Sequence, residues 1–336
     1  MPLVTVTNAG LYCPGGGFHI DPRRGVPRAI VTHAHSDHAR RGSDQVLVAE
    51  PGLPLAAARL GPKGLEGVPY GERRRIGDVE VSLHPAGHVL GSAQVRIECR
   101  GEVSVISGDY KLEADPTCAP FEPLRCHTFL TESTFALPVY RWPAPEDVIE
   151  QIQTWWAENR SEGRTSLIFA YSLGKAQRLL SLLHSGPRPI AVHPAMAPLN
   201  EAYQAAGVAL PEVLVLGEET AAQVRGQGLV IVPPGSGMAW VRRLAPCVTA
   251  AASGWMQVRG HRRRQNLDAG FVLSDHADWP GLLAAIAATG AESIGVGHGH
   301  VAPLVRYLRE KGQEAWVVGD HAAIQEAPTA RLDKDD

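Results

Sequence analysis

The chain is poor in cysteine and has nothing that pairs the few it holds. Its five, Cys13, Cys99, Cys118, Cys126 and Cys247, are odd in number, widely spaced and form no CxxC. That excludes a disulfide framework and a cysteine zinc site, and makes a reducing cytoplasm the expected setting. No apolar run reaches membrane-spanning length, and MPLVTVTNAGLYCPGGG at the start has no basic segment leading into an apolar one. A membrane span and an export signal are therefore not expected, which disfavours a secreted antibiotic-degrading lactamase. An excess of positive charge is missing too. The formal net charge of -3 rules out a globally basic protein, so any contact with nucleic acid has to come from a local patch. Internal repeats and low-complexity segments are absent.

What is present is histidine, concentrated. Residues 32–40 read THAHSDHAR directly after the apolar run Ala29-Ile30-Val31, which places His33, His35, Asp37 and His38 at the end of a strand. Alternation in an extended segment points His33, His35 and Asp37 one way, and a helical turn from Asp37 brings His38 round to them. One loop of this kind can serve two adjacent cations. Imidazole suits zinc and its neighbours, and the harder carboxylate of Asp37 suits an ion that keeps a water or meets a phosphate oxygen. A polar surface turn is the competing reading, and further ligand candidates downstream argue against it.

With 336 residues the chain can bury a large core, as two domains or one domain carrying an insertion. The first third alternates short β-rich runs with Gly/Pro turns, at 18–20, 29–32, 46–48, 79–83, 93–98 and 103–107. From Pro143 the texture becomes α/β: a helix over 144–160, a strand over 166–170, a helix over 174–184, a strand over 190–192 and a helix over 198–206. After a strand at 271–273 come a helix over 279–289, a strand over 293–296 and a helix over 302–311. The expected division is 1–140, 141–265 and 266–336, the middle part interrupting one metal-binding domain.

His88 in PAGH and Asp109 in SGD each follow a strand, where glycine lets ligands from several strands converge. The order His33, His35, Asp37, His38, His88, Asp109 resembles motifs two to four of the metallo-β-lactamase superfamily, and Asp21 in HIDP resembles its first motif, a carboxylate that braces the ligand loop. TESTF (131–135), SDHAD (274–278) and GVGHGH (295–300) resemble motifs A, B and C of the β-CASP nucleases, and IFAYSLGKAQRLLSLL (168–183) and AASGWMQVRG (251–260) resemble further β-CASP segments. GLYCPGGGFHIDP (10–22), GDYKLEADPTCAPFEPLRC (108–126), TESTFALPVYRWP (131–143) and SDHADWPGLL (274–283) are most similar to the bacterial ligase-associated DNA exonuclease group, the mRNA 3′-end processing factor-like proteins.

The resemblance implies an α/β fold, a metallo-β-lactamase αβ/βα four-layer sandwich with an inserted β-CASP α/β domain. It implies two divalent metal ions, Zn or Mn. His33, His35 and His88 would hold one, Asp37, His38 and His298 the other, with Asp109 bridging and Asp37 orienting a hydroxide activated by the pair. His276 would protonate the leaving oxygen, oriented by Glu132. The alternative for His276 is a neighbour of a helix cap made by Ser274 or Asp275. His300 is the second histidine of its cluster and is read as a pocket group.

For substrate, Ser172 and Lys175 at a strand-to-helix turn suit a phosphate or simply start a helix. Arg259 and Arg262 in RGHRRR offer guanidinium groups to a nucleic-acid backbone, whereas Arg73-Arg74-Arg75 reads as a solvated turn. Trp255 suits stacking on a base or plain packing. The implied activity is a metal-dependent DNA exonuclease of DNA repair, cytoplasmic, with functional association to a DNA ligase and helicase. A histidine in motif C is characteristic of RNA-processing members, which makes an RNA-processing ribonuclease the runner-up. A small-molecule hydrolase such as a thioesterase or lactamase, and a non-catalytic scaffold, are the further alternatives.

Overall fold

The computed structural model describes residues 3–235, 238–264 and 266–319, with only the backbone described for Met238, His261 and Arg262. It is a mixed α/β structure whose residues fall into two compact units. One comprises 1–114, 118–138 and 276–336, the other 115–117 and 139–275.

The first unit holds two sheets. A six-stranded sheet runs in chain order from Thr5–Thr7 through Gly10–Cys13, Phe18–Ile20, Arg28–Ile30 and Gln45–Ala49 to Leu65–Val68. A seven-stranded sheet has the order Glu314–Val317, Ser293–Gly299, Thr128–Ser133, Glu102–Ile106, Ala93–Cys99, Val79–Pro85, Arg74–Ile76. Val79–Pro85 alternates inward Val79, Val81 and Leu83, and these meet Phe18, Ile20 and Ile30 of the six-stranded sheet in one buried cluster. The opposite face of the seven-stranded sheet is covered by helices Trp279–Thr289 and Val301–Glu310 through Leu282, Ile286, Leu304 and Leu308. Helix Leu53–Leu60 packs Ala56 against Val46 and Val48 of the six-stranded sheet. Each such fully buried aliphatic side chain contributes about 1.5–3 kcal/mol over exposure.

Strand direction positions the site. Glu102–Ile106, Thr128–Ser133 and Ser293–Gly299 are parallel neighbours, so Asp109, Glu132 and His298 all emerge at their carboxyl ends. The register between Thr128–Ser133 and Ser293–Gly299 shifts at Glu132, between Thr131 and Ser133, and an irregularity of that kind re-aims the side chain it falls on. Phe18–Ile20 and Arg28–Ile30 are likewise parallel and release Asp21 and the His33–His38 loop side by side.

The second unit carries a six-stranded, wholly parallel sheet ordered Leu214–Val215, Ile190–Val192, Leu229–Val232, Thr165–Phe169, Cys247–Ala252, Ala269–Phe271. Its central strands read as continuous apolar runs, LVIV and TSLIF, as expected for strands covered on both faces. Among the described residues no helix is long and apolar enough to cross a membrane. Two local expectations change. Arg74–Ile76 is not a turn but an edge strand, antiparallel to residues 79–81. Its charges meet neighbouring acids at the surface, with Arg73 at 2.9 Å from Glu80 and Arg74 at 2.6 Å from Glu72. Neither Ser274 nor Asp275 caps the helix after them. Asp278 does, accepting from the Gly281 N–H at 2.9 Å.

Candidate metal centre

The His33–His38 segment is a succession of bends and turns rather than an extended strand. His38 and Ala39 both donate backbone N–H bonds to His35 O, at 3.2 and 2.7 Å. The turn buries His33 and His38 and leaves Asp37 exposed. Three ring nitrogens converge: His33 Nε2 lies 3.0 Å and His88 Nε2 3.1 Å from His35 Nδ1. Asp109 Oδ2 stands 3.6 Å from His33 Nε2, 3.8 Å from His88 Nε2 and 3.4 Å from His38 Nε2. The four donors of His33, His35, His88 and Asp109 all lie within 4.8 Å of one another.

A short chain of polar contacts aims these rings. Asp21 accepts from the Thr32 N–H at 2.8 Å and from its hydroxyl at 2.6 Å. With that proton committed, the Thr32 oxygen accepts from His33 Nδ1, 3.1 Å away. The other face of the His33 ring, Nε2, is thereby left with its lone pair toward His35 and His88. Asp21 Oδ2 also accepts from His38 Nδ1 at 2.7 Å, which turns His38 Nε2 toward Asp109. That Nε2 is buried, 3.4 Å from Asp109 Oδ2. Asp21 itself adopts a positive φ of 44°, a conformation rare outside glycine and asparagine-like residues. Gly108, at φ 57°, is required for the same reason and for space, since a Cβ there would lie 2.8 Å from Thr32 Cβ.

Protonation follows the geometry. Burial, together with the neighbouring His38, His88 and His35, holds His33 well below the ordinary imidazole value, hence neutral. Burial also disfavours charge on His38, but the Asp109 and Asp21 carboxylates outweigh it and raise its pKa well above the ordinary value. Burial alone would raise Asp109; His38, His276 and His33 reverse that and hold it well below the carboxylate range.

The donor set fits a divalent cation. His33 Nε2 and His88 Nε2 each stand about 3 Å from His35 Nδ1, near the ~3.3 Å edge of a tetrahedron with bonds of about 2.0–2.1 Å, and one carboxylate oxygen completes the donor set. Asp37, His38 and His298 are neighbours but less tightly gathered: His38 Nε2 is 3.7 Å from Asp37 Oδ2, and the His38 and His298 rings stack at 5.3 Å. Among the described residues these three do not form a donor group of the kind made by His33, His35, His88 and Asp109. His298 has a positive φ of 50°. A cavity of about 290 Å³ opens here, with Asp37, His38, Asp109 and His298 at its polar end and Leu11, Ile20 and Leu130 on its apolar wall.

Asp109 belongs to a second donor group, with Glu132 and His276. Glu132 is buried and its carboxylate lies 3.0 and 2.9 Å from His276 Nδ1. It also accepts from the Tyr110 N–H at 2.8 Å and from the Thr134 hydroxyl. The His276 ring sits 4.6 Å from that of His88 and edge-on to Phe135 at 5.9 Å. Such a carboxylate fixes the ring's tautomer and favours its cation. Thr32, Tyr110 and Thr134 are site residues that the sequence alone does not reveal. Thr32 adjoins His33, but no spacing rule announces that its hydroxyl will link Asp21 to the ring.

The substrate contacts expected in the second unit fare differently. Lys175 is buried, with Nζ 2.8 Å from Leu273 O and 3.0 Å from Asp275 Oδ1. It is committed to the protein and is not an ammonium displayed to a phosphate. Ser172 is half-buried in the turn before the helix, and its carbonyl accepts from Gln177 Nε2 at 3.0 Å. Arg259 is exposed at the start of the short helix Arg259–Arg264. The Arg262 side chain lies outside the described residues.

No family model matches the chain. Over 328 residues, 97% of this chain, it is 35% identical to a probable DNA ligase from Opitutus terrae, of which it spans 32%. Over 189 residues, 49% of this chain, it is 26% identical to cleavage and polyadenylation specificity factor 73 from Drosophila melanogaster, of which it spans 27%. Further relatives are endoribonucleases and RNases. The chain thus spans about a third or less of the length of these relatives. Its fold is shared with a protein of unknown function from Enterococcus faecalis, at a TM-score of 0.63 and 14% identity over 88% of this chain and 80% of that one. These relatives, among them cleavage and polyadenylation specificity factor 73, endoribonucleases and RNases, match the likeness to the β-CASP nucleases of the metallo-β-lactamase superfamily that the sequence motifs carry.

Proposed function

We propose that the protein is a metal-dependent phosphodiester hydrolase, a DNA exonuclease of end processing. The observation that carries this reading is the pairing of two chemistries at Asp109: a four-donor cation cluster on one side and the half-buried His276 held by the buried Glu132 on the other. Hydrolysis of a small ester with a good leaving group needs only the first. A nucleotide leaving oxygen also needs a proton, and an imidazole held by a carboxylate supplies one.

His33, His35, His88 and Asp109 would hold one divalent cation, and Asp37, His38 and His298 would hold a second. Such ions supply positive charge that acidifies an attacking water and offsets charge on the phosphate. Asp37 orients that water. As its oxygen bonds to phosphorus, the water gives up a proton to solvent, the bond to the leaving oxygen breaks and that oxygen takes the proton of His276 Nε2. Glu132 then stabilises the ring until it is reprotonated. The metallo-β-lactamase four-layer arrangement is supported by the three apolar clusters of the first unit, and residues 141–265, which fall inside the second unit, are taken as the β-CASP insertion.

DNA is favoured because the likeness to the probable DNA ligase runs along nearly the whole chain; association with a ligase activity is part of this reading. RNA is the second reading, supported by His298 and by the relatives that are ribonucleases. The test is incubation with manganese, and separately zinc, on 5′- and 3′-labelled single-stranded DNA, duplex DNA and RNA. Mononucleotides released from one labelled DNA end are the expected product. Cleavage of RNA alone would overturn the DNA assignment, and no cleavage with either metal would overturn the enzyme.

A further inference from the structure

The cavity beside the metal centre lies wholly within the first unit, and the proposed chemistry uses only its polar end. Its apolar walls come from two sheets. Val6, Leu11 and Ile20 are direct partners across three neighbouring strands of the six-stranded sheet, so they share a face and form a row. Ile106 and Leu130 are partners in the seven-stranded sheet, and Val318, just past that sheet's edge strand, lines the same cavity. Ile20, Ile106 and Leu130 are buried in one apolar cluster, against which Leu11 and Val318 pack.

Sheets packed face to face close such a gap with interdigitating side chains. Here space is left open. Gly297 lines the cavity from the strand between those of Leu130 and Val318 and sends nothing into it; a Cβ at that position would have Val318 Cβ as its nearest atom, at 3.7 Å. The result is a slot of about 290 Å³ between two apolar rows, at the small end of the roughly 300–1,000 Å³ of ligand sites. Its shape suits one flat group, and its size suits one nucleotide rather than a strand.

Charge decides what else the occupant carries. Arg23 and Arg40 line the cavity and are exposed, and Arg40 Nη1 donates to Arg23 O at 3.4 Å, which ties the two segments together. Of the carboxylates on the lining, Asp21 accepts from Thr32 and His38, and Glu132 from Tyr110, Thr134 and His276. Asp37 and Asp109 are the two that the proposed function turns toward cations. The guanidinium groups therefore set the sign of what the mouth attracts, and their planar donors match phosphate oxygens. We propose that this slot binds a single nucleotide. The base lies between the two apolar rows, and the phosphate sits between the guanidinium groups of Arg23 and Arg40 and the metal centre. This rests on the nuclease reading and gives it a unit of product: a slot with room for one nucleotide makes mononucleotides, and not longer pieces, the material released.

The test is calorimetry on the full-length protein with manganese, using dTMP, thymidine and inorganic phosphate as separate probes. Wild type should bind dTMP about 10-fold or more tighter than either thymidine or phosphate, since the two parts of the ligand act together. Arg23→Gln/Arg40→Gln should weaken dTMP by about 10-fold and leave thymidine within about 2-fold. Val6→Trp fills the slot from a half-buried wall position and should weaken dTMP and thymidine by about 10-fold or more, with phosphate within about 2-fold. Val318→Trp fills it from the opposite wall and replaces Val6→Trp should that variant fail to fold by circular dichroism. On end-labelled single-stranded DNA the filled variant should release mononucleotides about 10-fold or more slowly than wild type. Wild type that binds dTMP no tighter than phosphate, or a folded filled variant that binds dTMP and thymidine as wild type does, would overturn the slot. Binding in the expected pattern without cleavage of DNA or RNA would leave the slot standing and remove the nuclease reading, whereas DNA cleavage without that pattern would remove the slot alone.

Discussion

Thr32 shows how much one hydroxyl can organise. It passes the Asp21 carboxylate's influence to His33, fixing which ring nitrogen carries the proton. Thr32→Val keeps the shape and removes the relay, so divalent-cation affinity should fall by about 10–100-fold with an unchanged circular dichroism spectrum; calorimetric affinity equal to wild type would refute the relay. His38 sets a proton linkage of definite sign. Its pKa is raised by Asp109 and Asp21 against the effect of burial, and a cation binds only the neutral ring. A cation reaching His38 must therefore release a proton whenever the pH lies below that raised value. Apparent affinity should weaken by about tenfold per pH unit as pH falls through this range. Calorimetry in two buffers of different ionisation enthalpy measures the proton, and identical heats in both would exclude the linkage.

At the level of elements, the glycine between strand Glu102–Ile106 and Asp109 is the most demanding position. Gly108→Ala adds a Cβ 2.8 Å from Thr32 at a positive φ and should cost about 1–3 kcal/mol by denaturant unfolding, with loss of cation binding from the displaced Asp109. A variant as stable as wild type would show that the turn relaxes at no cost. Long periodic segments are legible in the sequence: the helices expected over 144–160 and 279–289 are Pro145–Ser161 and Trp279–Thr289. Edge elements are not. Arg74–Ile76 carries two arginines because an edge strand shows charge to water, and the signal that marks a strand interior is absent. Helix Leu53–Leu60 is hidden behind EPGLP, whose prolines punctuate a turn yet also fit the first turn of a helix. The strand expected at 271–273 lies two residues earlier, at Ala269–Phe271, since Leu273 and Ser274 give their carbonyls to Lys175 and Arg178. The clustering of His33, His35, His88 and Asp109 is legible because ligand chemistry sits at strand ends. The burial of Lys175 is not, because its partners are about a hundred residues away in the chain.

Across the whole molecule, the formal charge of -3 leaves the nucleic-acid attraction that the proposed function requires to local cations. Arg259, Arg263 and Arg264 are exposed in the second unit, within the densest basic run of the chain. Replacing all three by Gln in an Asp37→Ala background should flatten the plot of log affinity against log salt for single-stranded DNA, by roughly 0.7 for each phosphate that the arginines neutralise. Fluorescence anisotropy across a salt series measures it, and an unchanged slope would place the binding surface elsewhere. The position of Asp109 in both donor groups has a genetic corollary. Under the proposed function, a change at Asp109 would touch both the cation cluster and the His276–Glu132 pair, so its phenotype would assign neither. Alleles at His33 and at Glu132 divide the two contributions, and a strain carrying each singly would report them apart.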